Sequence, residues 1–327
     1  MNTNVTDIRK EIEDIIKERA SQTVKREKLL SIGLTNSDIQ QLFFAQRLAK
    51  KIQRKARLAE QTETQTEQIV EDILTQIFDR YTFGVEIECF NVRLDNVGII
   101  ASNHGLDFRH ESYNHIDNNT YYKLVADSSI CGENDDRGIE CVSPILNGAN
   151  GGFDSLKACC DTLNEACAKV NRTTGLHVHV GGDISERQYC NVFVNYYFLE
   201  GVIDSFMAPS RRHNRFAKSL NDNIEIDRLM RCVNHDNVCA CLHNDRYYKV
   251  NCMSWSRHHT IEFRQHQGTT DYEKISMWAR FCVRLVHWSD NNILQATVTS
   301  IDDIEFLTDE EKTFFKNRAA AFASQQQ

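Results

Sequence analysis

The stretch Tyr81-Thr82-Phe83-Gly84-Val85-Glu86-Ile87-Glu88-Cys89-Phe90 alternates apolar and polar residues over its later half. That period of two marks a β-strand. Successive strand side chains point to opposite faces, so Glu86 and Glu88 share one face and Val85, Ile87 and Cys89 the other. In isolation such a carboxylate pair reads equally as a solvated sheet surface.

Three further segments repeat the arrangement. Gly138-Ile139-Glu140-Cys141-Val142-Ser143-Pro144 carries Glu140. Thr174-Gly175-Leu176-His177-Val178-His179-Val180-Gly181-Gly182 carries two imidazoles at i and i+2. Glu262-Phe263-Arg264-Gln265-His266 carries a carboxylate, a guanidinium and an imidazole in the same register. A sheet built from the four presents a wall of carboxylates and imidazoles on one face. Like charges gathered this way repel, and cations relieve them. Oxygen-rich ligation with one or two imidazoles suits magnesium or manganese. Alone, Glu262 and Arg264 also read as a surface ion pair.

Outward from these strands, Tyr121–Ala126 reads as another strand, Phe153–Val170 and Arg187–Met207 as helices, and Val250–Ser254 with Thr260–His266 as a strand pair. Helices follow over Tyr272–Trp288 and Asp309–Ala320, the last capped by Thr308 with Glu311 placed for a capping box. Interspersed strands and helices with polar outward faces predict an α+β fold on a mostly antiparallel sheet. Residues 1–80 contain one glycine, no proline and many good helix formers, with Ile8, Ile12, Ile15 and Ile16 at helical spacing. A break falls at Ile32-Gly33-Leu34, and Asn36 or Ser37 can cap a second helix. The basic run Lys50–Arg57 reads as a solvated helix face, Gln61–Gln68 as a linker and Ile69–Phe78 as a third helix. The expected division is therefore 1–68, a helical accessory arm and linker, and 69–327, a catalytic domain. The arm is a candidate surface for self-association or a protein partner.

The chain has 327 residues and a net charge of −8. Residues 1–80 are nearly neutral, with 14 Lys and Arg against 13 Asp and Glu, so the acid excess lies in the remainder. An acidic catalytic region argues against a nucleic-acid groove. No apolar run is long enough for a membrane span, and the charged start has no signal-peptide core, which places the expected location in the cytoplasm. Twelve cysteines without a regular framework read as reduced, buried thiols. Cys232, His235, Cys239, Cys241 and His243 invite a zinc reading, but their spacing is not that of closed zinc sites. Gly148-Ala149-Asn150-Gly151-Gly152 reads as a tight helix start, or more weakly as a phosphate cradle.

In order along the chain, Gly84–Glu88, Glu140–Pro144, Thr174–Gly181 and Ile261–Thr269, together with Pro209–Asn214 and Asp245–Asn251, resemble the motif series of the amidoligases. The resemblance spans about 81–288. It implies a likeness to glutamine synthetase and glutamate–cysteine ligase: a curved antiparallel sheet with helices behind it, and ATP with magnesium or manganese on the open face. By that likeness, Glu86, His177 and Glu262 hold the metal nearest the phosphates, and Glu88 and Glu140 hold a second. His179 lies beside the nucleotide and Arg264 meets phosphate. Arg211, Arg212 and Arg246 are candidates for the substrate carboxylate or the transferred phosphoryl group. The implied reaction joins a small-molecule, amino-acid or peptide carboxylate to an amine through an acyl phosphate. Asp127 is a candidate base, or simply a turn residue. The rival readings are a hydrolase in which His177 and His179 bind zinc, and a non-catalytic assembly protein that works through its arm.

Overall fold

The alternation at Tyr81–Cys89 becomes strand β1, and burial of its apolar face sets what packs around it. The computed structural model describes most of residues 10–36 with Ile39 and Phe43, then 76–112, 118–132 and 137–324. The chain divides into two compact units, Met1–Glu71 and Asp72–Gln327.

In the second unit β1 (Tyr81–Cys89) is joined by β2 (Phe108–Glu111), β3 (Tyr122–Cys131), β4 (Arg137–Val142), β5 (Leu146–Asn147), β6 (Gly175–Gly182), β7 (Val250–Asn251) and β8 (Ile261–Gln267). They form one open sheet in the order β2-β3-β4-β1-β6-β8-β7, with β5 pairing β1. Every pairing is antiparallel except β2 with β3. The fold is thus a mixed one on a mostly antiparallel sheet. The parallel edge strand and the short β5 had no sequence signal of their own.

Among the helices are α2 (Val97–Asn103), α3 (Gly152–Glu165), α4 (Glu186–Phe206), α5 (Tyr272–Trp288) and α6 (Asp309–Ser324), following α1 (Gln22–Ser31) of the first unit. Val85, Ile87 and Cys89 of β1, Leu176, Val178 and Val180 of β6, and Ile261 and Phe263 of β8 are all buried. They belong to one core with Phe193 and Tyr196 of α4 and Trp278 and Phe281 of α5. Gln188 of α4 ties the layers together, donating to Tyr81 Oη and to Val286 O, both at 2.8 Å. Thr308 and Glu311 cap α6 reciprocally at 3.2 and 2.9 Å, as their spacing predicts.

Several boundaries depart from the sequence expectation. The helix expected over Phe153–Val170 stops at Glu165, because Lys169 turns back to exchange backbone hydrogen bonds with Phe90. The strand expected over Val250–Ser254 is only Val250–Asn251, since Ser254 opens a helical turn, Trp255–His258. Within the first unit the described helical residues from Lys10 end at Lys17. Ser21 Oγ then accepts Val24 N–H to start α1, a break unmarked by Gly or Pro. Gly33 forms the expected stop with φ +94°. Asn36 receives the Arg26 guanidinium at 3.0 Å, and Thr35 O accepts Ile39 N–H to open the next turn. Lys50–Arg57, Gln61–Gln68 and most of Ile69–Phe78 lie outside the described residues. Among the described residues no helix is long and apolar enough to cross a membrane.

Candidate functional site

Register turns four sequence motifs into one surface. Across the central strands Glu86 lies beside His177, Glu88 beside Glu140, and His179 beside Glu262, all on the face opposite the helices. Their ligand atoms fall into three overlapping groups, each within 4.8 Å: Glu86, His179 and Glu262; Glu86, Glu140 and His177; and Glu88, Asp127 and Glu140.

Each side chain is held. His177 Nδ1 lies 2.9 Å from Glu86 Oε2, and its Nε2 lies 3.5 Å from Glu88 Oε1. The second oxygen of Glu88 accepts Gly175 N–H at 2.6 Å. A Cβ on Gly175 would lie 3.2 Å from both Arg211 Nη2 and His177 Nε2, so a side chain at this strand start would have to displace its neighbours. His179 Nδ1 is fixed by Thr260 Oγ1 at 2.9 Å. That turns its Nε2 into the gap, 3.3 Å from Glu86 Oε1 and 4.0 Å from Glu262 Oε1. This nitrogen is buried and makes no hydrogen bond. An imidazole oriented through one nitrogen, with the other aimed between two carboxylates, is the donor set a divalent cation requires. Glu262 is clamped by Asn251 and by Arg264 on either side.

Electrostatics follow this crowding. Burial pushes the Glu140 carboxyl up, and the neighbouring Glu86, Glu88 and Asp127 push it further, well above the usual range. Burial also opposes the charge on Glu86, but His179 and His177 outweigh it and hold that carboxyl well down. The imidazole of His179 loses to burial and gains more from Glu86 and Glu262, ending above its ordinary value. Burial lowers Arg211 to about 10, with nearby Glu88 resisting and Arg264 reinforcing.

The wall floors two cavities. A polar lobe of about 460 Å³ is lined by Asp127, Arg211, Phe216, Arg246, Tyr247 and Arg264 among others. A less polar lobe of about 260 Å³ is lined by Gly84, Lys123, Val125, Val142, Pro144 and Ile145 among others. A Cβ on Gly84 would meet only Ser143 Oγ at 3.6 Å and His179 Cβ at 4.0 Å, so the missing side chain is part of the second lobe's space.

Over residues 79–286, more than half of the chain, the sequence matches the family model described as "putative amidoligase enzyme". The chain belongs to the amidoligase family. No curated protein matches it.

In this amidoligase the cleft gathers Glu86, Glu88, Glu140, His177, His179, Glu262, Arg264, Arg211 and Arg246. The set the resemblance implied lies together, with His177 Nδ1 2.9 Å from Glu86 and 3.7 Å from Glu262, and His179 also reaches Glu86 and Glu262 while His177 also joins Glu86 and Glu140. Arg212 lines neither lobe. It donates to Met207 O at 3.1 Å and lies over the Phe322 ring, because one step along a helical turn swings it away from Arg211. His266 also leaves the expected face. A bulge opposite Leu176 and Val178 inserts one extra residue into β8 and reverses the parity beyond it. His266 therefore stacks on Trp278 in the helix layer, where burial and then Arg318 hold its pKa well down.

The weaker motifs resolve as structure. Cys239 Sγ approaches His235 Nε2 at 3.2 Å, yet among the described residues no cysteine joins a three-ligand group. The twelve cysteines are free, and most are buried. Gly148 and Gly152 are bare because Phe78, Phe153 and the Asn147 backbone leave no space for a Cβ. Sequence reasoning missed Lys123, His258 and Asn251. Asn251 was the most accessible of these, since it lies in a motif already singled out.

Proposed function

We propose that this amidoligase is an ATP-dependent carboxylate–amine ligase, related in its working sheet to glutamine synthetase and glutamate–cysteine ligase. The observation that carries the reading is the Nε2 of His179, buried without a hydrogen bond between Glu86 and Glu262 and beside the guanidinium of Arg264. Carboxylates facing an arginine over a two-lobed cleft suit phosphoryl transfer.

Glu86, His179 and Glu262 are suited to hold one magnesium or manganese ion, and Glu88 and Glu140 a second. Bound there, such ions supply charge neutralisation for phosphate oxygens. The less polar lobe suits the nucleotide base, which can lie over Gly84 against Val125, Val142 and Pro144. The polar lobe suits the two substrates, with Arg211 and Arg246 facing the acid. Carboxylate attack on the γ-phosphorus breaks its bond to the ADP oxygen and forms an acyl phosphate. Arg264 offers its planar fork to the transferring oxygens. The amine then attacks the carbonyl and phosphate leaves. Asp127 is placed at the polar lobe to take the amine proton.

The test is MgATP-dependent phosphate release screened against pooled carboxylates and amines, with mass detection of the dehydrated condensation product. Release and product appearing together support the reading. Tight native zinc on His177 and His179, with hydrolysis and no need of ATP, would instead establish the hydrolase alternative.

A further inference from the structure

We propose that His258 is a catalytic residue that donates a hydrogen bond to the phosphoryl group during its transfer, an assignment that rests on the ligase reading above. The two lobes have four lining residues in common: Glu86, Glu140, His179 and His258. The first three project from the sheet and form the floor of the passage between lobes. His258 comes instead from the turn between β7 and β8 and lines both lobes beside His179. Its ring meets that of His179 edge-on, with centroids 6.2 Å apart and planes at 89°. A phosphoryl group moving from a nucleotide in one lobe to an acid in the other passes alongside this pair of imidazoles.

The turn that carries His258 is built to hold still. Its first residue, Ser254, is buried, and the hydroxyl donates to Thr260 O at 2.7 Å, closing the hairpin at its base. His258 N–H donates to Ser254 O and His259 N–H to Trp255 O, each at 2.9 Å. His259 then adopts a left-handed conformation, φ 50°, which redirects the chain into β8. Trp255 packs on the buried Tyr189 with ring centroids 4.8 Å apart. Tyr189 in turn donates its hydroxyl to Cys252 O at 3.1 Å, just before the turn. The start of the turn is thereby fastened to α4 and its end to Ser254, and the imidazole is preorganised rather than swung in on a long side chain.

Chemistry selects a donor at this position. The floor is acidic, so phosphoryl oxygens that turn away from the carboxylates need a hydrogen-bond donor from outside the sheet. An imidazole offers an N–H whether neutral or protonated. In the transfer the γ-phosphorus–oxygen bond to ADP breaks, a carboxylate oxygen bonds to phosphorus, and the electron pair leaves with ADP. His258 exchanges no proton. It stabilises negative charge on the equatorial oxygens, an interaction stronger in the transition state than in bound ATP.

The test compares MgADP with MgADP plus fluoroaluminate, a mimic of the phosphoryl group in transfer, on the full-length chain. Binding is measured by calorimetry alongside melting temperature. His258→Ala should weaken the fluoroaluminate complex by on the order of a hundredfold while changing MgADP affinity by less than about threefold. His258→Gln, which keeps an N–H at similar reach, should recover a large part of that loss. Equal losses for both ligands would make His258 a wall of the nucleotide lobe and overturn the proposal, as would no loss for either. A wild-type protein that binds MgADP but gains nothing from fluoroaluminate also overturns it. Failure of the wild type to bind MgADP at all refutes the ligase reading, and His258's role falls with it.

Discussion

Replacing Arg264 separates a structural ion pair from a phosphate-binding one. Glu262 is 3% exposed and Arg264 5% exposed, and the guanidinium bonds directly to the carboxylate. Glu86 and Glu88 lie close enough to add to the field at Arg264. Arg264→Met fills similar space but leaves Glu262 buried beside Glu86 with less compensation. Breaking a buried pair from one side costs about 3–5 kcal/mol. For a unit of this size each 1 kcal/mol is worth roughly 2–4 °C, so the melting temperature should fall by roughly 6–20 °C. Magnesium should return part of that loss, because a bound cation restores the missing positive charge. Arg264→Lys keeps the charge and should lose far less stability. It lacks the planar fork, so turnover should drop by about a hundredfold, or about 3 kcal/mol of transition-state stabilisation, while MgATP binding persists. The assays are scanning fluorimetry with and without magnesium, nucleotide calorimetry and phosphate release. If Arg264→Lys retains turnover within about threefold, the fork has no role in transfer. If both variants melt early and neither alters nucleotide binding or turnover, the pair is purely structural.

Glu140 should act as a pH-dependent strain in the metal-free protein. Its folded pKa lies well above the unfolded 4.5, so its contribution to stability is present below 4.5 and lost as pH rises through the folded value. Glu140→Gln mimics the protonated form: in chelator at about pH 8 it should melt higher than wild type, with the gain vanishing toward about pH 5. No difference at either pH would mean that Glu140 is not under like-charge pressure. Gly175→Ala should fold, since the new methyl meets side-chain ends rather than backbone. The new methyl must shift Arg211, His177 or Glu88, so manganese affinity, read by paramagnetic resonance, should fall about tenfold; unchanged affinity would show that the three can move without consequence. Deletion of residues 1–68 should leave MgATP binding and phosphate release intact, and a folded truncation that binds ATP without turning over would assign the arm a part in the site.

The order and character of the site strands were legible in the sequence because strand parity is a covalent property. Glu86 with Glu88, His177 with His179, and Glu262 with Arg264 share a face wherever the sheet is built, since side chains alternate along any extended backbone. Burial of Val85, Ile87, Leu176, Val178 and Phe263 on the reverse face follows from the same alternation. Helix α5 and the cap of α6 were also legible, because their signals are local. Neighbour relations were not. That His179 as well as His177 reaches Glu86 and Glu262 depends on the β6–β8 register, which pairs residues more than eighty positions apart. One bulge in β8 removes His266 from the cleft although its sequence spacing matches that of Arg264. A single step on a helical turn likewise divides Arg211 from Arg212. Nothing local marks His258 or Lys123, since each matters only through the cavity that other strands close around it. Sequence periodicity fixes which way a side chain points from its own strand. Which strand lies beside it, and in what register, is decided by long-range burial that only the folded chain carries out.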